Sequence, residues 1–121
     1  FAVTFNIADV SGTDDCAVGF RLKADYAANI DDYTDSAVLN VISGNITIET
    51  ILNNAATTVT DTTNDWADAE SHTLEVAVDL DGAVTYKIDN ADPIVSAAFS
   101  FDAADEVIPY YMLLHLRVLS H

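Results

Sequence analysis

Apolar and polar residues alternate along most of this 121-residue chain. The alternation has a period of two, which is typical of strands with one buried face and one wet face, and helical spacing is nowhere sustained. Between the alternating segments lie clusters of Asp, Asn, Ser and Gly, the residues that favour turns. The pattern predicts nine strands: Ala2–Ala8, Cys16–Lys23, Ser36–Ile42, Asn45–Leu52, Thr57–Asp61, Ser71–Asp79, Ala83–Asp89, Ile94–Phe101 and Val107–Leu116.

The stretch Ser71–Asp89 has the clearest pattern. Apolar side chains occupy every second position from Leu74 in its first arm and from Val84 in its second. Between the arms, Asp81-Gly82 supplies the positive backbone dihedrals that a tight hairpin turn needs. We therefore predict an antiparallel hairpin with one face in the core. The predicted inward side chains are Leu74, Val76, Val78, Val84, Tyr86 and Ile88, and the predicted outward ones are Glu75, Lys87 and Asp89.

The length and the even spacing of the predicted strands indicate the fold class. A chain of 121 residues fits one domain with a core of its own, here residues 1–121. Many short strands with turn signals between them are typical of all-β sandwiches and barrels. We predict a single all-β domain, an antiparallel jelly-roll-like β-sandwich of about nine short strands.

The charge is strongly negative and excludes one class of partner. Four basic residues face 20 acidic ones, which gives a formal net charge of −16. A field of this sign repels phosphate backbones, so we expect no nucleic-acid partner. It also suits a saline medium or one rich in divalent cations. No uncharged run approaches the roughly 18 residues of a membrane-spanning helix, so we expect no membrane span.

Two motifs in the second half of the chain resemble a known family. The first is HTLEVAVDLDGAVTYKID, within Ser71–Asp89, and the second is FSFDAADEVIPYYMLLH, Phe99–His115. From Ile30 onward the chain resembles the concanavalin A-like, laminin-G-like jelly-roll domains common in structural proteins of tailed phages and in environmental viral sequences. The resemblance implies a jelly-roll fold and a structural role in a virion.

Enzymatic chemistry is not indicated. Glucanases share the jelly-roll fold, but a retaining glycosidase needs two carboxyl groups roughly 5 to 5.5 Å apart, and the strand acids Glu49 and Glu75 stand alone in the sequence. The chain has no G-x-S-x-G nucleophile elbow and no glycine-rich phosphate loop. We predict that the protein is not an enzyme and has no hydrolase activity.

Calcium is the one cofactor that the sequence suggests. Hard cations prefer several oxygen ligands, and the cluster DDYTD offers the carboxylates of Asp31, Asp32 and Asp35. A second acidic cluster, DNADP, contains Asp89 and Asp92. Neither follows the EF-hand spacing, and solvated turn aspartates are the alternative interpretation.

Aromatic residues in two loops suggest a contact with sugars. Trp66, together with Tyr33 and Tyr26, is placed where a flat ring can stack on a glycan. The alternative is that these rings close one end of the core. A further glycan signal is the sequon Asn45-Ile46-Thr47, which predicts glycosylation of Asn45 in a cell with that machinery and otherwise arises by chance.

Two functions remain open from the sequence. The first is a non-enzymatic structural subunit that packs with copies of itself, at a virion surface or in an extracellular filament. The segment Phe1–Ala8 carries no charge and Val107–Leu116 carries none apart from a histidine, whereas exposed strand edges are normally defended by charges or bulges. The alternatives are that the terminal strands pair inside one copy, or that the chain is a monomeric glycan-binding module.

Overall fold

Eight strands form in residues 1–113, the part of the chain that the computed structural model describes. A short 3-10 turn, Ile30–Asp32, lies between the second and third strands. The strands are β1 (Ala2–Ile7), β2 (Cys16–Leu22), β3 (Ser36–Ile42), β4 (Asn45–Ile51), β5 (Thr58–Asp65), β6 (Glu70–Val78), β7 (Val84–Ile88) and β8 (Val107–Leu113).

The strands make two antiparallel sheets. One sheet has the order β5-β4-β3-β2-β8, in which four consecutive strands form a meander and β8 adds to the free side of β2. The other has the order β1-β6-β7, in which the first strand joins a hairpin about 70 residues away. The all-β, sandwich-like architecture that the sequence predicts is therefore confirmed.

The core lies between the two sheets. Leu74 and Val76 of β6 pack in one cluster with Val18, Leu39 and Ile48 of the larger sheet, and each of these side chains is at most 1% exposed. Each such residue contributes about 1.5–3 kcal/mol of burial. The alternation along each strand determines which face enters this layer, because successive side chains point to opposite faces.

The hairpin is confirmed as β6 and β7, with Val76 opposite Tyr86 and Glu75 opposite Lys87. Five of the six predicted inward side chains are buried and Val78 is half-buried, while Glu75 and Lys87 are half-buried on the other face and Asp89 is exposed. The turn departs from the prediction in one respect. Gly82 has a positive φ of 86°, whereas the φ of Asp81 is not positive.

The predicted strand Ile94–Phe101 is wrong. The stretch Asp92–Phe101, here called the edge segment, runs beside β7 but joins its ladder only near one end, where Val84 N donates to Phe99 O (3.0 Å) and Phe101 N to Gly82 O (2.9 Å). Farther back it turns to the other sheet, where Val95 N donates to Thr62 O (3.0 Å). The segment links the two sheets instead of forming a strand in either.

Several strand boundaries differ from the predicted ones by one residue, and that of β5 differs by more. β5 is longer than predicted and ends at Asp65, because its register with β4 shifts between Asn45 and Thr47 and a residue at positive φ, Thr63, lies within it. Two steps along β4, from Asn45 to Thr47, correspond to four along β5, from Asp65 to Asp61, so β5 carries two extra residues in an enlarged bulge. The predicted end of the last strand, residues 114–116, lies outside the described residues. No helix in residues 1–113 has the length and apolar character needed to cross a membrane.

Candidate functional site

The two terminal strands are outer strands of different sheets. Within residues 1–113, β1 pairs only with β6 and β8 pairs only with β2. They do not lie side by side in one ladder, so the alternative in which they pair with each other inside one copy is excluded for the described residues. Each leaves one row of backbone groups without a strand partner in the described part of the chain.

The outer edge of β1 presents complete donor and acceptor pairs. Phe1 and Val76 exchange both backbone hydrogen bonds, each 2.9 Å long. Because bonded and non-bonded pairs alternate in an antiparallel ladder, Val3 and Phe5 also bond to β6, and the N–H and C=O groups of the residues between them point away from it. The outward residues are Ala2, Thr4 and Asn6, and all three are exposed.

The outer edge of β8 is less complete. Glu106 O accepts a bond from Lys23 N (2.8 Å), so alternate residues from Ile108 onward face β2 and those between them face outward. Pro109 is in the outward row and has no N–H to offer. Tyr111, the next outward residue, is 59% exposed.

The opposite edges are partly covered by the edge segment. On β7, Val84 N bonds to Phe99 O of the edge segment, and Ile88 N bonds to Ala91 O (2.8 Å) in the turn just before it, so both ends of the outer row have partners. On β5, Thr62 O accepts from Val95 N, and Asn64 Oδ1 accepts from Ile94 N (3.0 Å). Coverage of this kind is how native sheets blunt their edges.

A cavity lies between the edge segment and β7, where the two are not joined by backbone hydrogen bonds. The cavity has a volume of about 360 Å³. Thr85, Asp92 and Ser96 give it polar walls, and Pro93 and Ile94 give it apolar ones. Tyr86 also lines it; this residue is 3% exposed and its hydroxyl has no hydrogen-bond partner in residues 1–113.

The predicted stacking residues lie in the interior. Trp66 is 1% exposed, packs against Phe5 and His72 with ring centroids 4.7 Å from each, and donates from Nε1 to Glu70 O (3.1 Å). Tyr33 is 4% exposed, and its ring lies 4.5 Å from the guanidinium carbon of Arg21. A sugar needs an open ring face, so the stacking platform predicted at Trp66 and Tyr33 is wrong. Of the three loop aromatics named in the sequence analysis, Tyr26 alone is exposed.

The three predicted calcium ligands do not converge. Asp31 Oδ1 accepts a bond from the hydroxyl of Thr57 (2.7 Å), and the buried Asp35 accepts from Asn53 N (3.1 Å), while Asp32 is exposed on the 3-10 turn. No group of three or more His, Cys, Asp or Glu residues in positions 1–113 is placed to hold a metal ion. The predicted calcium site is therefore not formed, because Asp31 and Asp35 each accept a separate hydrogen bond from the connection between β4 and β5, and the three carboxylates share no site.

Asn45 is the first residue of β4 and is half-buried. Its sequon partner Thr47 is 4% exposed, and the Thr47 hydroxyl donates to Asn40 O (3.2 Å). Attachment of a glycan at Asn45 stays a prediction.

The sequence analysis missed a histidine held between two carboxylates. His72 Nδ1 lies 2.5 Å from Asp89 Oδ2, and Nε2 lies 2.9 Å from Glu70 Oε1. Partial burial works against the charged imidazolium, but the bonds to Glu70 and Asp89 outweigh it and raise the pKa of His72 above 6.5. Its ring also meets that of Trp66 edge to face. The cluster joins the start of β6 to the end of β7, and only the spacing of Glu70 and His72 on one strand face hinted at it.

A second missed cluster lies on the outer face of the larger sheet. Asn40 Nδ2 donates to Glu49 Oε2 (2.5 Å), and the hydroxyl of Thr47 donates to the same oxygen (3.2 Å). All three side chains are buried, and desolvation raises the pKa of the Glu49 carboxyl. Glu49 is therefore a buried acid within a polar cluster. The sequence does not reveal this cluster, because Glu49 stands alone among the residues of its strand.

No protein-family model, no curated protein and no solved structure matches this chain. Its function must therefore be inferred from its own strand edges and surface chemistry.

Proposed function

We propose that the chain is a non-enzymatic structural subunit that packs with copies of itself through its terminal strands, at a virion surface or in an extracellular filament. The observation that carries the proposal is the placement of β1 and β8 as outer strands of two different sheets, with no second neighbour in residues 1–113. A neighbouring copy satisfies such a row of backbone groups by strand addition.

Charge determines what kind of contact is compatible with assembly. At −16 per copy, mutual repulsion opposes close packing, and it weakens as salt screens the surface. Neither β1 nor β8 contains a charged residue. Contacts through these strands therefore avoid the acidic surface, and association should strengthen with salt or divalent cations.

We also propose that the two sheets have a jelly-roll arrangement. A jelly-roll arrangement of the two sheets, with the phage and viral domains as relatives, is supported by the motifs in Ser71–Asp89 and Phe99–His115 and by the sandwich architecture of the described strands. An extracellular or virion-surface location goes with that relationship.

Light scattering of the intact chain over a concentration series, at low and at high salt, tests the proposal. We expect association that grows with concentration and is stronger at high salt, with electron microscopy showing regular assemblies. A monomer at millimolar concentration under both conditions would contradict it. Deleting Phe1–Ala8 is a poor test, because it also removes Ile7, which is 1% exposed in the core.

A monomeric glycan-binding module is the second candidate. The observation that favours it is the cavity beside β7, whose walls combine hydroxyl and carboxylate groups with apolar side chains. Binding on a glycan array that is lost in Thr85→Val/Ser96→Ala, and kept in the Ser100→Ala control outside the cavity lining, would support it. A glycan array without any signal would exclude the glycan-binding function.

A further inference from the structure

The outer row of β1 is symmetric about its centre. The outward residues of β1 are Ala2, Thr4 and Asn6, with Ala2 two residues before Thr4 and Asn6 two residues after it. The backbone of each offers both an N–H and a C=O. A two-fold axis through an antiparallel strand pair places the same residue opposite itself. This row therefore fits a second copy of itself.

We propose that β1 pairs antiparallel with β1 of a second copy, with the two-fold axis at Thr4; this inference rests on the proposed self-assembly. Thr4 then faces the partner's Thr4, and Ala2 faces the partner's Asn6. Each of these pairs exchanges both backbone hydrogen bonds. The two three-stranded sheets join into one continuous sheet across the axis.

The side chains suit this register on both faces. Val3 and Phe5 are only half-buried at the margin of the core, and the register brings Val3 opposite the partner's Phe5 on that apolar face. On the other face Thr4 bonds to Thr73 (2.7 Å), and Asn6 bonds to Ser71 (3.0 Å). The face is polar but uncharged along β1, so no like charges meet at the axis.

The nearest acids on the paired sheet lie one strand inward. Glu75 is opposite Ala2 and Glu70 is opposite Ile7, both on β6. In the joined sheet the two β6 strands are three strand spacings apart, about 14 Å. That distance exceeds the screening length of about 8 Å at physiological salt. Repulsion between these acids is therefore weak once salt is present.

The β8 edge fits a second copy less well. Pro109 interrupts its outward row, so a ladder there lacks one donor on each copy. Proline at either edge removes one outward N–H, so two proline variants form a matched pair. Thr4→Pro removes the N–H at the proposed axis and Tyr111→Pro removes an outward N–H of β8, and neither N–H bonds to the neighbouring strand of its own sheet.

Sedimentation equilibrium of the intact chain, Thr4→Pro and Tyr111→Pro at high salt tests the inference. We expect dimerisation in the intact chain and in Tyr111→Pro, and dimerisation weakened about tenfold to a hundredfold in Thr4→Pro. Thermal unfolding of dilute samples serves as the folding control, and the two variants should melt within a few degrees of each other. Thr4→Pro dimerising like the intact chain, or Tyr111→Pro alone losing the dimer, overturns the inference and leaves the proposed function standing. An intact chain that stays monomeric overturns both.

Disulfide cross-linking gives an independent readout that does not depend on proline. Directly opposite residues in a bonded antiparallel pair have Cα atoms about 5.5 Å apart, within the range of a disulfide. Thr4→Cys should form a covalent dimer under mild oxidation, whereas Tyr111→Cys should not, and the native Cys16 is buried in both. Cross-linking of Tyr111→Cys alone contradicts pairing at β1.

Discussion

The two sides of this sandwich treat their strand edges differently. At β7 and β5 the edge segment supplies backbone partners to the outer rows, at Val84 on one strand and at Thr62 on the other. At β1 and β8 the described chain supplies none, and the outer row of β1 is exposed and uncharged. Within residues 1–113, two of the four outer strands are thus partly covered and the other two are open.

The covered outer strands are protected from pairing with another strand, whereas the open ones are available for it. An unprotected edge is a liability in an isolated protein, because it is a template for another strand. The covered side is irregular, with few ladder bonds and a proline, whereas β1 is regular and complete. Regular backbone geometry without a partner in the same chain is what strand addition between copies requires.

The largest effect is expected from breaking the strand on which both sides depend. β6 lies between β1 and β7, and Val76 is fully buried in the core. Val76→Asp should lower the free energy of unfolding by about 3–5 kcal/mol, because it buries an unpaired carboxylate among apolar neighbours. Ala77→Asp, on the exposed face of the same strand, is the control and should cost less than 1 kcal/mol. Equal stability of the two variants in urea unfolding would contradict the assignment of faces.

A smaller effect is expected from uncovering β7. Gly82 has φ +86°, and an added Cβ would lie 2.5 Å from Phe101 O, where the edge segment is bonded. Gly82→Ala should cost about 2–3 kcal/mol and detach the segment from β7, which would allow new association there. Gly12→Ala is the matched control, since Gly12 has φ +72° but no atom within 4 Å of the added Cβ, and it should cost about 1 kcal/mol. If urea unfolding finds the same loss in both variants, the close contact at Phe101 contributes nothing.

The smallest effect concerns the hairpin end that carries His72. The pKa of His72 is raised above 6.5, so its stabilising contribution is complete below that pH and declines as the pH rises through the folded pKa. Partial burial raises the pKa of Asp89, but its hydrogen bonds with Thr73 N and His72 outweigh this and lower it, and the bonds with Ala67 N and His72 lower the pKa of Glu70. The contribution of the two carboxylates is therefore present above about pH 4.5 and declines as the pH falls. The contribution of this cluster to stability should therefore be largest between about pH 4.5 and 6.5.

His72→Gln should reduce the decline of the melting temperature on the alkaline side and lower the melting temperature in that range by a few degrees at most, since the carboxylates are substantially exposed. Melting curves of both proteins between pH 4 and 9 measure this. An unchanged pH profile in His72→Gln would show that the two ion pairs do not contribute.

Local patterns in the sequence predicted the elements whose neighbours are near in the chain. β2, β3, β4 and the β6–β7 hairpin follow from alternation and turn residues, because their partners are the next segments along the chain. Pairing of β1 with β6 could not be predicted, since nothing local records a partner about 70 residues away. The regular spacing of Phe99 and Phe101 predicted a strand, but the bonds of that stretch are shared between two sheets.

The candidate site residues were harder to predict than the strands. Trp66 and Tyr33 occur in loops, and sequence alone does not tell whether a loop aromatic closes the core or faces solvent. Asp31, Asp32 and Asp35 lie within five residues of the chain, but Asp31 and Asp35 bond to different partners and the three do not form a metal site. The absence of charge in β1 was visible in the sequence, and the structure added that its edge has no second strand in residues 1–113.

Backbone amide exchange of the intact protein, measured residue by residue at low and at high protein concentration in about 0.5 M salt, tests the contrast between the two sides most directly. Association protects only the N–H groups that it covers. The amides of Ala2, Thr4 and Asn6 should exchange quickly in the dilute sample and at least about tenfold more slowly in the concentrated one. Those of Val84 and Phe101 should exchange at the same slow rate in both. Equal rates for Ala2, Thr4 and Asn6 at the two concentrations would contradict pairing between copies at this edge.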